Sequence, residues 1–161
     1  SSGITTIEFE NVHAGELLSI YTQSYELVYS ESVTENGLFR KNYDMSLLPD
    51  GDYIIVLEKT EKLETQTFTI KNGIAVDLSE RMIVYKPTAH LINNKLYVSQ
   101  YTAHKSSLSI ELYFNGVMIH DSTAQGKGSI GKIYQLDLTQ KGVYKVIMKS
   151  HGKVFKSNIE I

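Results

Sequence analysis

Five histidines are the residues of this chain best suited to metal binding or general acid–base chemistry. They stand at His13, His90, His104, His120 and His151. None has another histidine within a few positions, whereas zinc sites commonly draw ligands from closely spaced pairs. The spacing therefore predicts no metal site and no cofactor.

A hydrolytic site would need a nucleophile beside a base, and His120-Asp121-Ser122 brings the three residue types together at a predicted strand end. A serine nucleophile of this class sits on a sharp turn such as Gly-x-Ser-x-Gly, and that turn is missing. We therefore interpret these residues as solvated strand-end positions. The sequence predicts no catalytic residue, so the chain is predicted not to be an enzyme.

Two further segments have side chains or backbone typical of ligand loops. Residues 126–131, Gly-Lys-Gly-Ser-Ile-Gly, resemble a phosphate cradle, but they lack the spacing and the following helix of a P-loop. Because they lie between two predicted strands, we expect a mobile loop. Asp50-Gly51-Asp52 has carboxylates that suit calcium, but the twelve-residue calcium loop does not continue, so it predicts a turn.

Composition narrows the function classes further. The formal net charge of −2 gives no electrostatic reason to expect nucleic acid as a partner. No apolar run is long enough for a membrane-spanning helix. The chain contains no cysteine, which excludes disulfides and thiol chemistry. The 11 tyrosines favour strands, where aromatic residues are enriched.

The elements that would position any site are short strands. Apolar and polar residues alternate in runs such as 7–10 and 43–47, short apolar runs such as 53–57 and 143–148 indicate further strands, and turn signals such as Asn36-Gly37 and Asn115-Gly116 separate them. No stretch of ten residues has a helical stripe. Short strands at this spacing predict an all-β sandwich or barrel.

An internal repeat defines the domain organisation. Residues 43–70 align without a gap on residues 134–161, and six of those 28 positions are identical. A second match, Leu18-Ser19-Ile20 with Leu108-Ser109-Ile110, lies at a shift of 90. A repeat of this length is a small domain. The sequence predicts two tandem immunoglobulin-like (fibronectin III-like) β-sandwich domains, 1–73 and 74–161.

Both copies share the pattern Leu-x3-Gly-x-Tyr, which ends at Tyr53 and at Tyr144. In immunoglobulin-like sandwiches a tyrosine at this place covers the core, and its hydroxyl bonds to the backbone of the preceding corner. We expect both rings to be buried and structural. On the same strand, alternation points Ile54 and Val56 outward, so these two residues are a candidate contact surface on the first domain.

The motifs Leu18-Ser19-Ile20-Tyr21, Val28-Tyr29-Ser30-Glu31 and 43–53 resemble exported sandwich domains of Gram-negative gut and marine bacteria. These include families of unknown function and the C-terminal sorting domains of type IX secretion. Segments 93–98 and 152–156 of the second half are similar to the sorting type. The resemblance implies a periplasmic, outer-membrane-associated or secreted protein, and we expect the full gene to encode an N-terminal export signal.

The leading hypothesis is a non-catalytic, exported or cell-surface, adhesion-like or structural interaction module. Its partner would be a protein or a surface glycan, a second copy of the chain included. The alternative is a carbohydrate-binding module that uses surface tyrosines, for which the candidates are Tyr21, Tyr25, Tyr97, Tyr101 and Tyr113. Three of these tyrosines exposed on one face would favour the alternative.

Overall fold

A computed structural model describes residues 3–161. Among these residues every regular element is a β-strand, and the sheets are antiparallel. The chain divides into two compact units, of which the first ends at Val84 and the second runs from Tyr85 to Ile161. The all-β prediction is confirmed. The division lies later in the chain than the predicted 73/74 boundary.

The first unit has two sheets. One contains β1 (Ile4–Val12) and β4 (Gly37–Asp44), and the other has the order β3-β2-β5-β6-β7. The strands of the second sheet are β2 (Leu17–Thr22), β3 (Leu27–Ser32), β5 (Gly51–Glu58), β6 (Lys62–Lys71) and β7 (Ile74–Val76). β8 (Met82–Tyr85) also pairs with β6. Residues 74–84 therefore belong to the first unit, because their strands extend its sheet.

Both sheets of the first unit contribute to one core. Phe9 of β1 packs in the same buried cluster as Leu18 of β2, Ile55 of β5 and Phe68 of β6. Alternation explains this arrangement, since every second residue of a strand points to the same face. The first unit is thus a two-sheet structure with a shared apolar interior.

The second unit is built on a long hairpin. Its strands are β9 (Thr88–Ile92), β10 (Lys95–Phe114), β11 (Val117–Gln135), β12 (Val143–Ser150) and β13 (Lys153–Glu160). The order is β11-β10-β12-β13, and β9 pairs with the beginning of β10. Regular pairing of β10 with β11 is interrupted between Thr102 and Ser106. Leu96 before this bulge and Leu108 after it lie in one core cluster, so the sheet bends back on itself.

The glycine-rich segment 126–131 is part of β11, so the expectation of a mobile loop was wrong. Gly126 and Gly128 have φ values of 145° and 88°, which a β-bulge tolerates because glycine has no Cβ. A Cβ on Gly131 would lie 2.0 Å from the carbonyl oxygen of Val98. These glycines shape the bend of the hairpin and allow close strand approach.

Strand registers in the two units correspond. Ile4 pairs with Asp44, and Lys95 pairs with Gln135, each 91 positions later. Other pairings in the two units obey the same offset, as β5 pairs with β6 through Tyr53–Phe68 and β12 with β13 through Tyr144–Ile159. The offset is the one that the sequence repeat displays.

The remaining strand follows a different offset from the predicted one. Leu18 lies opposite Leu57, whereas Ile110 lies opposite Met148. Because Met148 follows Leu57 by 91 positions, the residue that corresponds to Leu18 in register is Ile110. The shift of 90 suggested by the Leu-Ser-Ile match, which pairs Leu18 with Leu108, is therefore wrong by two positions. Shifts of 90 and 92 place the same residues on the inward face, because two residues make one full period of a strand.

Candidate functional site

The two corner tyrosines are buried, and one of them has the expected bond. The Tyr53 hydroxyl donates to the carbonyl oxygen of Pro49 at 2.6 Å, and its ring stacks on Phe68 with centroids 5.5 Å apart. Burial, with a smaller contribution from the Asp50 charge, raises the pKa of Tyr53. Tyr144 is also buried, against Phe114, but within residues 3–161 its hydroxyl makes no corresponding bond.

The candidate contact pair Ile54 and Val56 lies on β5 between β2 and β6. Ile54 is half-buried, and Val56 is only 2% exposed although it is outside the first unit's core cluster. Their cross-strand partners on β6 are Thr67 and Thr65. A contact surface at this pair stays a prediction.

His120, Asp121 and Ser122 are not arranged as a nucleophile with its base. Ser122 shares a hydrogen bond with the hydroxyl of Tyr134, and the His120 ring lies 5.1 Å from the Tyr134 ring. Tyr134 is buried, whereas His120 and Asp121 are exposed. The serine hydroxyl is thus bonded to a tyrosine. Over residues 3–161 no group of three His, Asp or Glu side chains converges as a metal site would require.

A polar cluster joins β3 of one sheet to β4 of the other in the first unit. Lys41 Nζ lies 2.7 Å from a carboxylate oxygen of Glu31, and the Tyr43 hydroxyl donates to the other oxygen. Burial acts to raise the pKa of Glu31, but bonds from Lys41, Tyr43 and Tyr29 outweigh it and lower the pKa. Burial and the bond to Glu31 raise the pKa of Tyr43. Since every member has a partner, the cluster links the two sheets of the unit and is structural.

Another polar group closes the core of the second unit. The Gln100 side-chain amide donates to the Tyr85 carbonyl at 2.8 Å and to the Ser150 hydroxyl at 2.8 Å. Ser150 also lies 2.8 Å from Nδ1 of His151, and burial lowers the pKa of that histidine. Gln100 and Ser150 are both buried, so this network is structural.

Aromatic residues gather on one surface of the second unit, which we call the tyrosine face. It comprises the outward positions of β9, of β10 before its bend and of β11 after it, including Lys95, Tyr97, Ser99, Tyr101, His90 and Ile133. These positions point outward because the alternate residues Leu96 and Val98 are in the core. Tyr101 is 55% exposed and Ile133 is 62% exposed.

The tyrosine face has a raised row, a low floor and a second raised row. Tyr97 stands between His90 and Ile133 in register. Two residues further, Ser99 has Gly131 as its partner on β11, so the centre has only small side chains.

Tyr101 forms the far row, and its ring meets that of Tyr85 edge to face at 5.6 Å. Tyr97 and Tyr101 are four residues apart, which is about 13 Å along a strand.

Only part of the predicted tyrosine set lies on this face. Tyr21 and Tyr25 belong to the first unit, where their rings are 6.1 Å apart. Tyr25 has φ 62°, the left-handed conformation that favours glycine. Tyr113 lies beyond the bend of β10 and donates to Glu111 at 3.1 Å. The sequence analysis missed Tyr85, which the hydrogen bond from Gln100 to its carbonyl helps to hold beside β10.

Both units also expose a short apolar segment at a bulged edge strand. Ile20 pairs with Tyr29 and Tyr21 with Leu27, so Val28 is an extra residue in β3. In the second unit Leu112 pairs with His120 and Tyr113 with Met118, so Ile119 is extra in β11. We call residues 27–29 and 117–119 the bulged tips. All six side chains are exposed and apolar or aromatic: Leu27, Val28, Tyr29, Val117, Met118 and Ile119.

Charge is distributed unequally between the units, which the net charge of the whole chain conceals. The first unit has fourteen carboxylates against six Lys and Arg, a formal charge of −8. The second has ten Lys, no Arg and four carboxylates, a formal charge of +6. Of the described residues at outward positions of the tyrosine face, none is Asp or Glu. This surface therefore lies in an electropositive unit.

Comparisons with known proteins add little. No protein-family model matches the chain, and no curated protein matches it. A solved structure described as "Biofilm associated protein - BSP domain" aligns over 99% of this chain at 15% identity with a TM-score of 0.33. The chain spans 27% of the length of that structure, and at this TM-score the likeness carries no argument. Throughout residues 3–161 there is no helix with the length and apolarity to cross a bilayer.

Proposed function

We propose that the chain contains two immunoglobulin-like sandwiches derived from an internal duplication. The shared offset of 91 in two strand pairings supports this proposal. So does the bulge, which adds Val28 in one unit and Ile119 in the other at the same offset. We set the boundary after Val84, since β7 and β8 extend the first sheet.

We propose that these sandwiches form a non-catalytic, adhesion-like interaction module of an exported or cell-surface protein. The observation that carries this function is the recurrence of an exposed apolar bulged tip in both units. Edge strands usually protect themselves with charge, proline or a bulge. Here the bulge is present, but residues 27–29 and 117–119 contain no charge and no proline.

The tips favour docking through side chains over simple extension of the sheet. The extra residues Val28 and Ile119 have no cross-strand partner, so they interrupt the ladder that an added strand would continue. Three adjacent apolar side chains remain exposed at each tip, and contact would remove them from water. We propose a protein as the partner, with a second copy of this chain as the simplest case.

The test is self-association of the purified chain. Sedimentation velocity over a concentration series should give a mass that rises above that of the monomer, and Val28→Lys with Ile119→Lys should return it to the monomer. Leu47→Lys is the matched control, because Leu47 is 93% exposed and lies in neither tip. A wild-type chain that stays monomeric throughout, or an equal effect of Leu47→Lys, would contradict the proposal.

A second candidate function is carbohydrate binding at the tyrosine face. The observation that favours it is the pair Tyr97 and Tyr101, which flank the small residues Ser99 and Gly131 on an exposed sheet. Aromatic rings with a polar edge suit partly apolar, hydroxyl-rich ligands. Only two of the five predicted tyrosines lie there, and Tyr85 adds a third ring.

Two earlier expectations remain proposals with their own tests. Export is tested by fractionating cells that express the full gene, and a protein found only in the cytoplasm would refute it.

The Ile54 contact surface is tested by Ile54→Lys, which should change the solution mass or scattering profile while the circular dichroism spectrum is retained. Because Val56 is buried, Val56→Lys would also perturb folding, so the single variant is the sharper probe.

A further inference from the structure

We infer that the tyrosine face binds an anionic polysaccharide. This inference deepens the second candidate function, because it names the class of glycan, and it is independent of the bulged tips. It combines the aromatic geometry with the charge of the second unit.

The shape of the face suits a chain of sugar rings. Tyr97 and Tyr101 stand about 13 Å apart along β10, with Ser99 between them. Opposite Ser99, Gly131 has no side chain, and a Cβ there would collide with the carbonyl oxygen of Val98. The floor therefore stays low by necessity, and Ser99 and its partner Thr88 lie between the two tyrosine rows, where a pyranose ring would bind.

The floor hydroxyls are available to a ligand. Across the described part of the chain, Thr88, Ser99 and Ser129 make no side-chain hydrogen bond to the protein. All three are exposed. Sugar hydroxyls can therefore bond to them without breaking an existing interaction.

The positive charge of the second unit favours anionic glycans over neutral ones. Lys95 stands at one end of the face, and Lys105 and Lys127 lie in the bulged segments at the other end. These cations have no carboxylate beside them at the outward positions of the face, and the unit as a whole has a formal charge of +6, from ten Lys against four carboxylates. A polymer that carries carboxylates or sulfates would be attracted, since opposite potentials steer association.

The spacing of the cations favours a polysaccharide over a nucleic acid. Lys95 and the start of the bulge at Thr102 are seven residues apart, or about 24 Å along a strand. A nucleic-acid strand places a phosphate every ~3.4 Å and is usually met by denser cations, often Arg, which binds phosphate in a bidentate manner. The second unit contains no Arg.

Binding is tested with three probes on the intact chain: a polygalacturonate oligomer, a neutral oligosaccharide of equal length and a single-stranded DNA oligonucleotide. Isothermal titration calorimetry at low and high salt should show polygalacturonate binding that salt weakens. Tyr101→Ala should weaken it about tenfold, the order expected for loss of one aromatic contact. Tyr113→Ala, on the same strand beyond the bend, should leave it unchanged.

A charge variant gives the decisive comparison. Ser99→Glu places an anion on the floor of the face and should weaken polygalacturonate binding at least as much as Tyr101→Ala. Ser107→Glu makes the same change at an exposed position of β10 after the bend and should have no effect. Because both serines are exposed, both variants are expected to fold, which circular dichroism checks.

Four results would overturn the inference. They are no polygalacturonate binding by the wild type, equal losses for Ser99→Glu and Ser107→Glu, tighter binding of DNA than of polygalacturonate, and equal binding of the neutral oligosaccharide. The last result would leave carbohydrate binding standing and remove only the anionic class. None of these results bears on self-association through the bulged tips, which is measured separately.

Discussion

The Tyr53 hydroxyl offers a measurement in which one unit serves as the control for the other. Tyr53→Phe keeps the ring on Phe68 and removes only the 2.6 Å hydrogen bond to the Pro49 carbonyl. A neutral hydrogen bond contributes about 1 kcal/mol net. Pro49 is exposed, so its carbonyl regains water and the loss should not exceed this value. For a unit of this size, about 1 kcal/mol lowers the melting temperature by roughly 4–8 °C.

Tyr144→Phe is the matched variant. The Tyr144 hydroxyl has no such partner within residues 3–161, so its removal should change the free energy of unfolding by less than about 0.5 kcal/mol. Urea unfolding followed by circular dichroism, fitted to two transitions, measures both effects. The reasoning fails if the two variants lose equal stability or if Tyr144→Phe loses more. Truncation of either ring to alanine should instead cost roughly 3–5 kcal/mol in both units, because it empties a core position.

Two further predictions concern packing and pH. Gly131→Ala should destabilise the second unit by about 1–3 kcal/mol, because its Cβ would lie 2.0 Å from the Val98 carbonyl oxygen. The same urea titration identifies which transition moves, and a variant as stable as the wild type would contradict the close approach. Glu31→Gln should lower stability at neutral pH, because hydrogen bonds from Lys41, Tyr43 and Tyr29 hold the pKa of Glu31 below its usual value despite burial. Because the pKa of Glu31 is lower in the folded than in the unfolded state, its carboxylate stabilises the fold at pH values above the unfolded pKa of about 4.3. This stabilisation is lost as the pH falls through the folded pKa, so the difference between wild type and variant should shrink in acid. A difference that is constant from neutral pH to acid would refute this assignment.

The sequence predicted the parts of the fold that depend on local pattern. Short apolar runs bounded by turn signals identified the strands around Tyr53 and Tyr144, and the Leu-x3-Gly-x-Tyr pattern identified the turns before them. The all-β class followed from these signals. Both rings are buried, as a position that faces a core requires.

The long hairpin was not predicted because the inward positions of β10 are not all apolar. β10 includes Gln100 and Thr102 at inward positions, and polar residues there interrupt the apolar alternation. The sequence therefore reads as two short strands with a loop between them. The hydrogen bonds from Gln100 to Ser150 and Tyr85, which make its burial tolerable, join residues far apart in the chain.

The candidate surfaces were missed for a related reason. The bulges at Val28 and Ile119 depend on cross-strand register, which no local pattern specifies. Tyr85 reaches Tyr101 across sixteen positions of sequence and is recognisable only from the folded chain. The unequal charge of the two units was accessible from the sequence, but the single net value of −2 concealed it. The separate counts show that the lysines predominate in the second unit and the carboxylates in the first.

The continuity of β10 has a consequence for how each unit opens under native conditions. In the first unit the backbone ladder of β1 and β4 within the described chain joins only these two strands, and core packing and side-chain bonds such as Tyr43 to Glu31 hold them to the other sheet. In the second unit Leu96 and Leu112 lie on the same strand, β10. The bulge is the longest interruption in the backbone ladder between β10 and β11. Amide exchange in residues 4–12 should therefore proceed by sub-global opening, whereas exchange in residues 95–102 should require the free energy of opening the whole second unit. The first unit is therefore expected to open in parts, whereas the second unit is expected to open only as a whole.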